Sequence, residues 1–179
     1  MTLPDLGTLH WQPATEHPEL LAAPVAAALA RLETPCFVAA IDPELADTAA
    51  FCEAYSVPMA ASANCVVVEG RRGEQSTLAA CLVLATERAD VNRTVRKHLD
   101  VRKISFAPME TAVTQSGMEY GGITPIGLPS DWPVLVDSSV AAGDWLVVGS
   151  GIRGSKIAIT GPALAALPGA TVLTLTQPS

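Results

Sequence analysis

A chain of 179 residues, 49% of them apolar and only 4% aromatic, can bury one substantial core and is short for two domains. No apolar run nears the roughly 20 residues that span a bilayer, so a membrane role is not expected. The net charge of −7 speaks against a nucleic-acid partner on bulk grounds, though the charge is unevenly spread along the chain.

Residues 1–34 read as an N-terminal extension, helical and packed on a domain spanning 35–179. Pro4, Pro13, Pro18 and Pro24 punctuate it, and the Ala/Leu-rich stretch 24–32 is predicted as a helix with proline in its first turn. The opening residues lack a basic stretch followed by an apolar one, so no secretory leader is expected and the expected compartment is the cytoplasm. Residues 36–41 suit a buried strand. Asp42-Pro43-Glu44 supplies a capping acid, proline at the first helical position and acid in the first turn, which predicts a helix to about Tyr55. Residues 64–69 and 77–86 read as a β-hairpin turning at Gly70-Arg71-Arg72-Gly73. Asp90 is placed to cap a helix to about Leu99, residues 101–106 to form a strand, and Pro108 to open a helix ending at Gly117. Strands follow near 134–137, 145–148, 156–160 and 171–175, with a short helix at 162–167. Many strands with short helices and no regular alternation indicate an α/β protein of α+β type, with a mixed or antiparallel sheet.

Charge is segregated along this order. Before Asn64 stand Asp5, Glu16, Glu19, Glu33, Asp42, Glu44, Asp47 and Glu53 against Arg31 alone. Further on, Arg93, Arg96, Lys97, His98, Arg102 and Lys103 crowd one segment, and Arg71 and Arg72 join it only if the fold brings them there. Such a cluster suits phosphates, and it equally suits a solvated helix face. Cys36, Cys52, Cys65 and Cys81 are far apart among small or apolar residues, which reads as buried thiols. His10, His17 and His98 form no ligand pair, so no metal and no cofactor are expected.

The stretch from Gly117 to Gly127, with glycines also at 121 and 122 and with Pro125, cannot be the interior of a helix or strand. It predicts a stiff loop whose N–H groups are free to hold a carbonyl, a carboxylate or a ribose oxygen. A plain connection between strands is the ordinary alternative. A second glycine turn, Gly149-Ser150-Gly151-Ile152-Arg153-Gly154, lacks a dinucleotide-binding pattern, and the chain has no G-x-S-x-G elbow, P-loop or H-E-x-x-H.

The two glycine loops, Asp137 before the second, and Arg102-Lys103-Ile104-Ser105-Phe106-Ala107, taken in order, resemble the YbaK/EbsC family of aminoacyl-tRNA deacylases, related to the editing domain of bacterial prolyl-tRNA synthetases. The resemblance runs over about 42–167. It implies a compact domain with a curved, mixed, largely antiparallel sheet and surrounding helices, and a pocket at the glycine loop. It also implies hydrolysis of the ester of a mischarged amino acid. The 3′ end of aminoacyl-tRNA would be the partner, with a synthetase as a further one. The family's G-x-x-x-P element falls on Gly121, Gly122, Ile123, Thr124 and Pro125, whose N–H groups would hold the terminal adenosine and the aminoacyl carbonyl. Tyr120 would stack on that adenine or else cap the core. The turn at Gly151, Arg153 and Gly154 would complete the binding residues, with Arg153 on phosphate or carboxylate, or pinned to Asp137.

This chain departs from the family pattern where chemistry is expected. A lysine typically heads the strand that here begins Asn64-Cys65, and Lys156 stands where an aspartate often follows the second turn. One explanation is an inactive relative that only binds aminoacyl-tRNA, a nucleotide-like ligand or a synthetase. The other is that Lys156 restores the amine from the neighbouring strand while Asn64 orients the substrate, with Gly121 at the reacting centre. Cys65 as a nucleophile is the weaker idea, since a thiol in an apolar strand is usually inert.

Overall fold

The computed structural model describes residues 3–176. Its strands are β1 (Gln12–Pro13), β2 (Phe37–Ala40), β3 (Ala63–Arg72), β4 (Gln75–Leu84), β5 (Lys103–Phe106), β6 (Val134–Asp137), β7 (Trp145–Gly149), β8 (Ser155–Thr160) and β9 (Ala170–Leu173). Its α-helices are α1 (Ala23–Leu29), α2 (Thr48–Tyr55), α3 (Arg96–His98), α4 (Met109–Ser116), α5 (Ser138–Ala141) and α6 (Gly161–Ala165). One sheet has the order β1-β2-β8-β7 and is antiparallel throughout. The other has the order β5-β3-β4-β6-β9, antiparallel from β5 to β4 and parallel from β4 to β9. A parallel bridge between Ser62 and Val147 joins the two sheets at one corner. The expected mixed α/β fold is what the chain adopts.

The main core lies between the sheets. Val38, Val148, Ile157 and Ile159 reach it from the first sheet, and Ala63, Leu82, Val134 and Val136 from the second. The residues that alternate with these are buried too. Phe37, Ala39, Val147 and Ala158 pack outward against Phe51 and Trp11, and Val68, Cys81, Val83 and Leu135 pack against Val95 and Leu175. Strands covered on both faces need apolar residues at successive positions, which is why β2, residues 78–84 of β4, 134–136 of β6 and 157–159 of β8 read as apolar runs.

Local differences from the sequence reading have identifiable causes. The hairpin turns at Gly73 and Glu74, not at 70–73, because β3 and β4 pair through Arg72 and Gln75. Gly70 sits inside β3, where a Cβ would lie 2.8 Å from the Val101 side chain, so its small size serves packing and not a turn. The helix expected from Asp42 to Tyr55 is two pieces. Asp42 caps a 3₁₀ turn at Pro43–Leu45, its carboxylate accepting from Glu44 N–H at 3.0 Å, and α2 starts afresh at Thr48. The expected helix from Asp90 opens as a π-helical stretch, Val91–Val95, and Asp90 accepts from the Thr94 hydroxyl instead of capping. The extension at 1–34 is helical only in part: β1 pairs with β2, and α1 packs Val25 and Leu29 into the main core. Helix α5 lies outside the elements expected from the sequence, although Asp137 caps it by accepting from Ser139 N–H at 3.1 Å.

Candidate active site

A cavity of about 510 Å³ opens at the corner where the two sheets meet. Its walls come from the start of β3 (Asn64, Cys65, Val67), the end of β7 (Val148, Gly149), Lys156 of β8, Thr48 and Phe51 of α2, and the loop residues Tyr120, Gly121 and Ile123. Phe106, Met109 and Tyr120 stand at this cavity with more than half of their surface exposed, an unusual cluster of large apolar side chains in water.

Lys156 pairs with Ala39 on one side and Gly149 on the other, so β8 fixes its backbone rigidly. Its side chain is buried. The ammonium donates to the Ala46 carbonyl at 2.8 Å and lies 5.2 Å from the centre of the Phe51 ring. That carbonyl is available because the backbone leaves the helical path between Leu45 and Thr48. Burial holds the Lys156 pKa down, to about 8, with Asp47 acting against the shift and Arg153 adding slightly to it.

Asn64 heads β3 in the same cavity. Its side-chain carbonyl accepts from the Thr48 hydroxyl at 2.6 Å, which turns the amide NH₂ away from that bond as a donor. Cys65 follows on the wall. Although the residue is only half-buried, its sulfur lies inside and burial raises the thiol pKa well above the ordinary range, so it remains protonated. Among the described residues no group of three or more His, Cys, Asp or Glu is placed to hold a metal ion.

The two glycine loops are packed together, and this decides which N–H groups remain free. Gly151 N–H donates to Gly122 O at 2.7 Å, and Glu119 N–H donates to Gly151 O at 2.8 Å. A Cβ on Gly122 would lie 2.7 Å from the Ile152 backbone, and one on Gly149 would lie 2.6 Å from Gly122 O. Gly122 N–H donates to Glu119 O, and Thr124 N–H points to the Met118 sulfur. The N–H groups of Gly121 and Ile123, both at the cavity, have no protein partner among the described residues. Arg153 folds over Gly121, where a Cβ would strike its guanidinium, and donates to Tyr120 O at 3.2 Å. It does not meet Asp137. That carboxylate is buried and accepts from Leu175 N–H, Ser139 N–H and the Ser139 hydroxyl.

Of the residues singled out from the sequence, the fold gathers Asn64, Tyr120, Gly121, Ile123 and Lys156 around the cavity. Gly122, Thr124, Pro125, Gly151, Arg153 and Gly154 do not line it; they form the double loop behind its wall. Sequence reasoning missed Thr48, Phe51, Phe106 and Met109. Only Phe106 had a signal, its place in the run 102–107 that carries the family resemblance.

The profile of the aminoacyl-tRNA editing domain matches residues 42–167, well over half of the chain. The chain belongs to the aminoacyl-tRNA editing domain family. Solved structures share the fold of this editing domain. One described as "a putative trans-editing enzyme for prolyl tRNA synthetase" is 19% identical, with a TM-score of 0.67 over 79% of this chain and 86% of the other. A protein from work on computational epitope grafting onto scaffolds is 19% identical, with a TM-score of 0.71 over 88% and 97%. A hypothetical protein is 17% identical, with a TM-score of 0.66 over 74% and 85%. Among the described residues of the editing domain, no helix is long and apolar enough to cross a membrane.

Proposed function

We propose that this chain hydrolyses the ester that joins a mischarged amino acid to the 3′-terminal ribose of tRNA. One observation carries the reading: a single cavity holds a buried lysine amine, an amide oriented by Thr48, and two backbone N–H groups with no partner among the described residues.

In this reading Tyr120 stacks on the terminal adenine and the ester carbonyl points at the N–H groups of Gly121 and Ile123. Neutral Lys156, still donating to Ala46 O, accepts a proton from water through its lone pair. The water oxygen attacks the carbonyl carbon, and the resulting oxyanion is held by the two N–H groups, with the Asn64 amide orienting the aminoacyl group. Collapse expels the ribose oxygen, which takes the proton back from Lys156. The products are a free amino acid and a tRNA with its 3′-terminal hydroxyl restored. Gly122, Thr124, Pro125, Gly151 and Gly154 act by holding the loop in shape, and Arg153 by fixing the Tyr120 carbonyl.

The second reading is a module that binds an aminoacyl-tRNA, a nucleotide-like ligand or a synthetase without hydrolysis. Asn64 at the family's lysine position favours it. A panel of mischarged tRNAs incubated with the pure protein separates the two. Loss of one ester well above the uncatalysed rate supports hydrolysis, and saturable binding with every ester intact supports the module.

A further inference from the structure

The basic cluster of the sequence is a surface with a defined relation to the cavity. Of the eleven basic residues in the chain, eight lie between Arg71 and Lys103. Pairing of β3 with β5 sets Arg71 directly beside Lys103, and Arg96 and Arg102 line the same depression with Asn92. All four basic residues are exposed. Arg71 is paired with Glu69, whereas Arg96, Arg102 and Lys103 have no carboxylate partner among the described residues.

Strand alternation puts Cys65, Val67, Glu69 and Arg71 on one face of β3. Cys65 and Val67 line the cavity, as do Asn64 and Val66 from the alternate positions, and the basic pair lies about 13 Å beyond Val67 along the same strands at roughly 3.3 Å per residue. On β5, Lys103 pairs with Arg71 at one end and Phe106 with Val68 at the other; their side chains alternate to opposite faces, and exposed Phe106 reaches the cavity rim at the end of the strand. An aromatic rim followed by free cations one or two nucleotides away matches a single-stranded end running into a duplex. Bases stack on the rings, and phosphates meet the guanidinium and ammonium groups. The rest of the molecule is acidic and repels a polyanion, so this depression also selects the direction of approach.

We propose that the depression formed by Arg71, Arg96, Arg102 and Lys103 binds the phosphates of an RNA strand whose 3′ end enters the cavity. This rests on the reading of the cavity as the seat of an aminoacylated 3′ end, and the test separates the two. Binding of uncharged tRNA is followed by fluorescence anisotropy over a salt series, for wild type, for Arg102→Glu with Lys103→Glu, and for Arg31→Glu with Arg88→Glu as a charge-matched control. Hydrolysis of aminoacyl-tRNA is followed beside that of a 3′-aminoacyl-adenosine, which has no upstream phosphates.

The patch variant is expected to bind at least roughly tenfold more weakly, with the salt slope reduced by about 1.5 for two lost phosphate contacts. The control keeps the wild-type slope, both variants keep the wild-type melting temperature, and hydrolysis of the adenosine ester is unchanged in the patch variant. An unchanged slope in the patch variant, or an equal loss in the control, overturns the proposal even if esters are hydrolysed. A lost slope with no ester hydrolysed by any form upholds the RNA surface and sinks the catalytic reading alone.

Discussion

The ammonium of Lys156 donates to the carbonyl oxygen of Ala46 across 2.8 Å, joining β8 to the gap between a 3₁₀ turn and α2. Had the helix run unbroken from Asp42, that carbonyl would be taken by an N–H four residues on. The break therefore gives the buried cation its partner, and it also starts α2 at Thr48, the residue that orients Asn64.

If Lys156 is the base, hydrolysis depends on its neutral form. The rate constant kcat/KM is expected to rise with pH and level off above about 8, where burial sets its titration. Lys156→Ala is expected to lose about 100-fold or more, in line with the usual size of general-base catalysis, along with this limb of the profile. A pH–rate profile of both forms checks this, and full activity in the variant would end the relocated-amine idea.

The same lysine should burden the fold. Its folded pKa of about 8 lies below the ordinary 10.5, so between those values the unfolded chain holds the extra proton. Stability from this group thus rises as pH climbs from about 8 to 10.5, and below about 8 the full penalty applies. At about 1.36 kcal/mol per unit the net penalty is roughly 3 kcal/mol. Lys156→Met, nearly equal in shape, is expected to melt higher than wild type at pH 7 while losing hydrolysis. Thermal melts at pH 7 and pH 10 should show the gain shrinking at the higher pH.

Thr48→Val keeps the shape of the side chain and removes the hydroxyl held by Asn64. A stability loss of about 1 kcal/mol is expected, with kcat falling several-fold because the Asn64 amide can then rotate. Asn64→Ala should abolish the effect of the Thr48 change, so a double-mutant cycle on kcat reads the coupling directly.

Two glycines separate loop packing from loop strain. Gly122→Ala forces a Cβ to within 2.7 Å of the Ile152 backbone, and a loss of about 1–3 kcal/mol with collapse of activity is expected. Gly73 has a φ of +62° with open space around it, so Gly73→Ala should lose only about 1–2 kcal/mol and leave activity intact. Denaturant melts with parallel activity assays distinguish them.

Cys65→Ser should leave kcat nearly unchanged, since burial keeps the thiol protonated. Inactivation of the serine variant would return the nucleophile to consideration.

How much of this was legible depended on whether the deciding contact was local. The hairpin of β3 and β4 and the helix between Pro108 and Gly117 are set by neighbours in sequence, and Gly117 takes the left-handed conformation its position announced. The break at Ala46 could not be read, because its stabilising partner lies 110 residues away. Gly70 looked like a turn residue until Val101 was placed against it. The exposure of Phe106 was hidden for a similar reason: a lone phenylalanine in a strand reads as core unless the cavity beside it is known.

The N-terminal segment has a further meaning. Ala22 and Val25 occupy the space that a side chain on Gly151 would need, and the Pro24 carbonyl lies 2.5 Å from where a Cβ on Gly127 would be. Ala22 N–H also donates to Ser150 O, and the Ser155 hydroxyl donates to Leu20 O. These wedging residues precede position 42, where the family match begins, and β2 precedes it as well. A chain trimmed to the matched region would keep every residue that lines the cavity, yet its two loops would have no floor to rest on. The unit that inheritance makes recognisable is smaller than the unit that must fold, and the shape of the first is set by residues belonging only to the second.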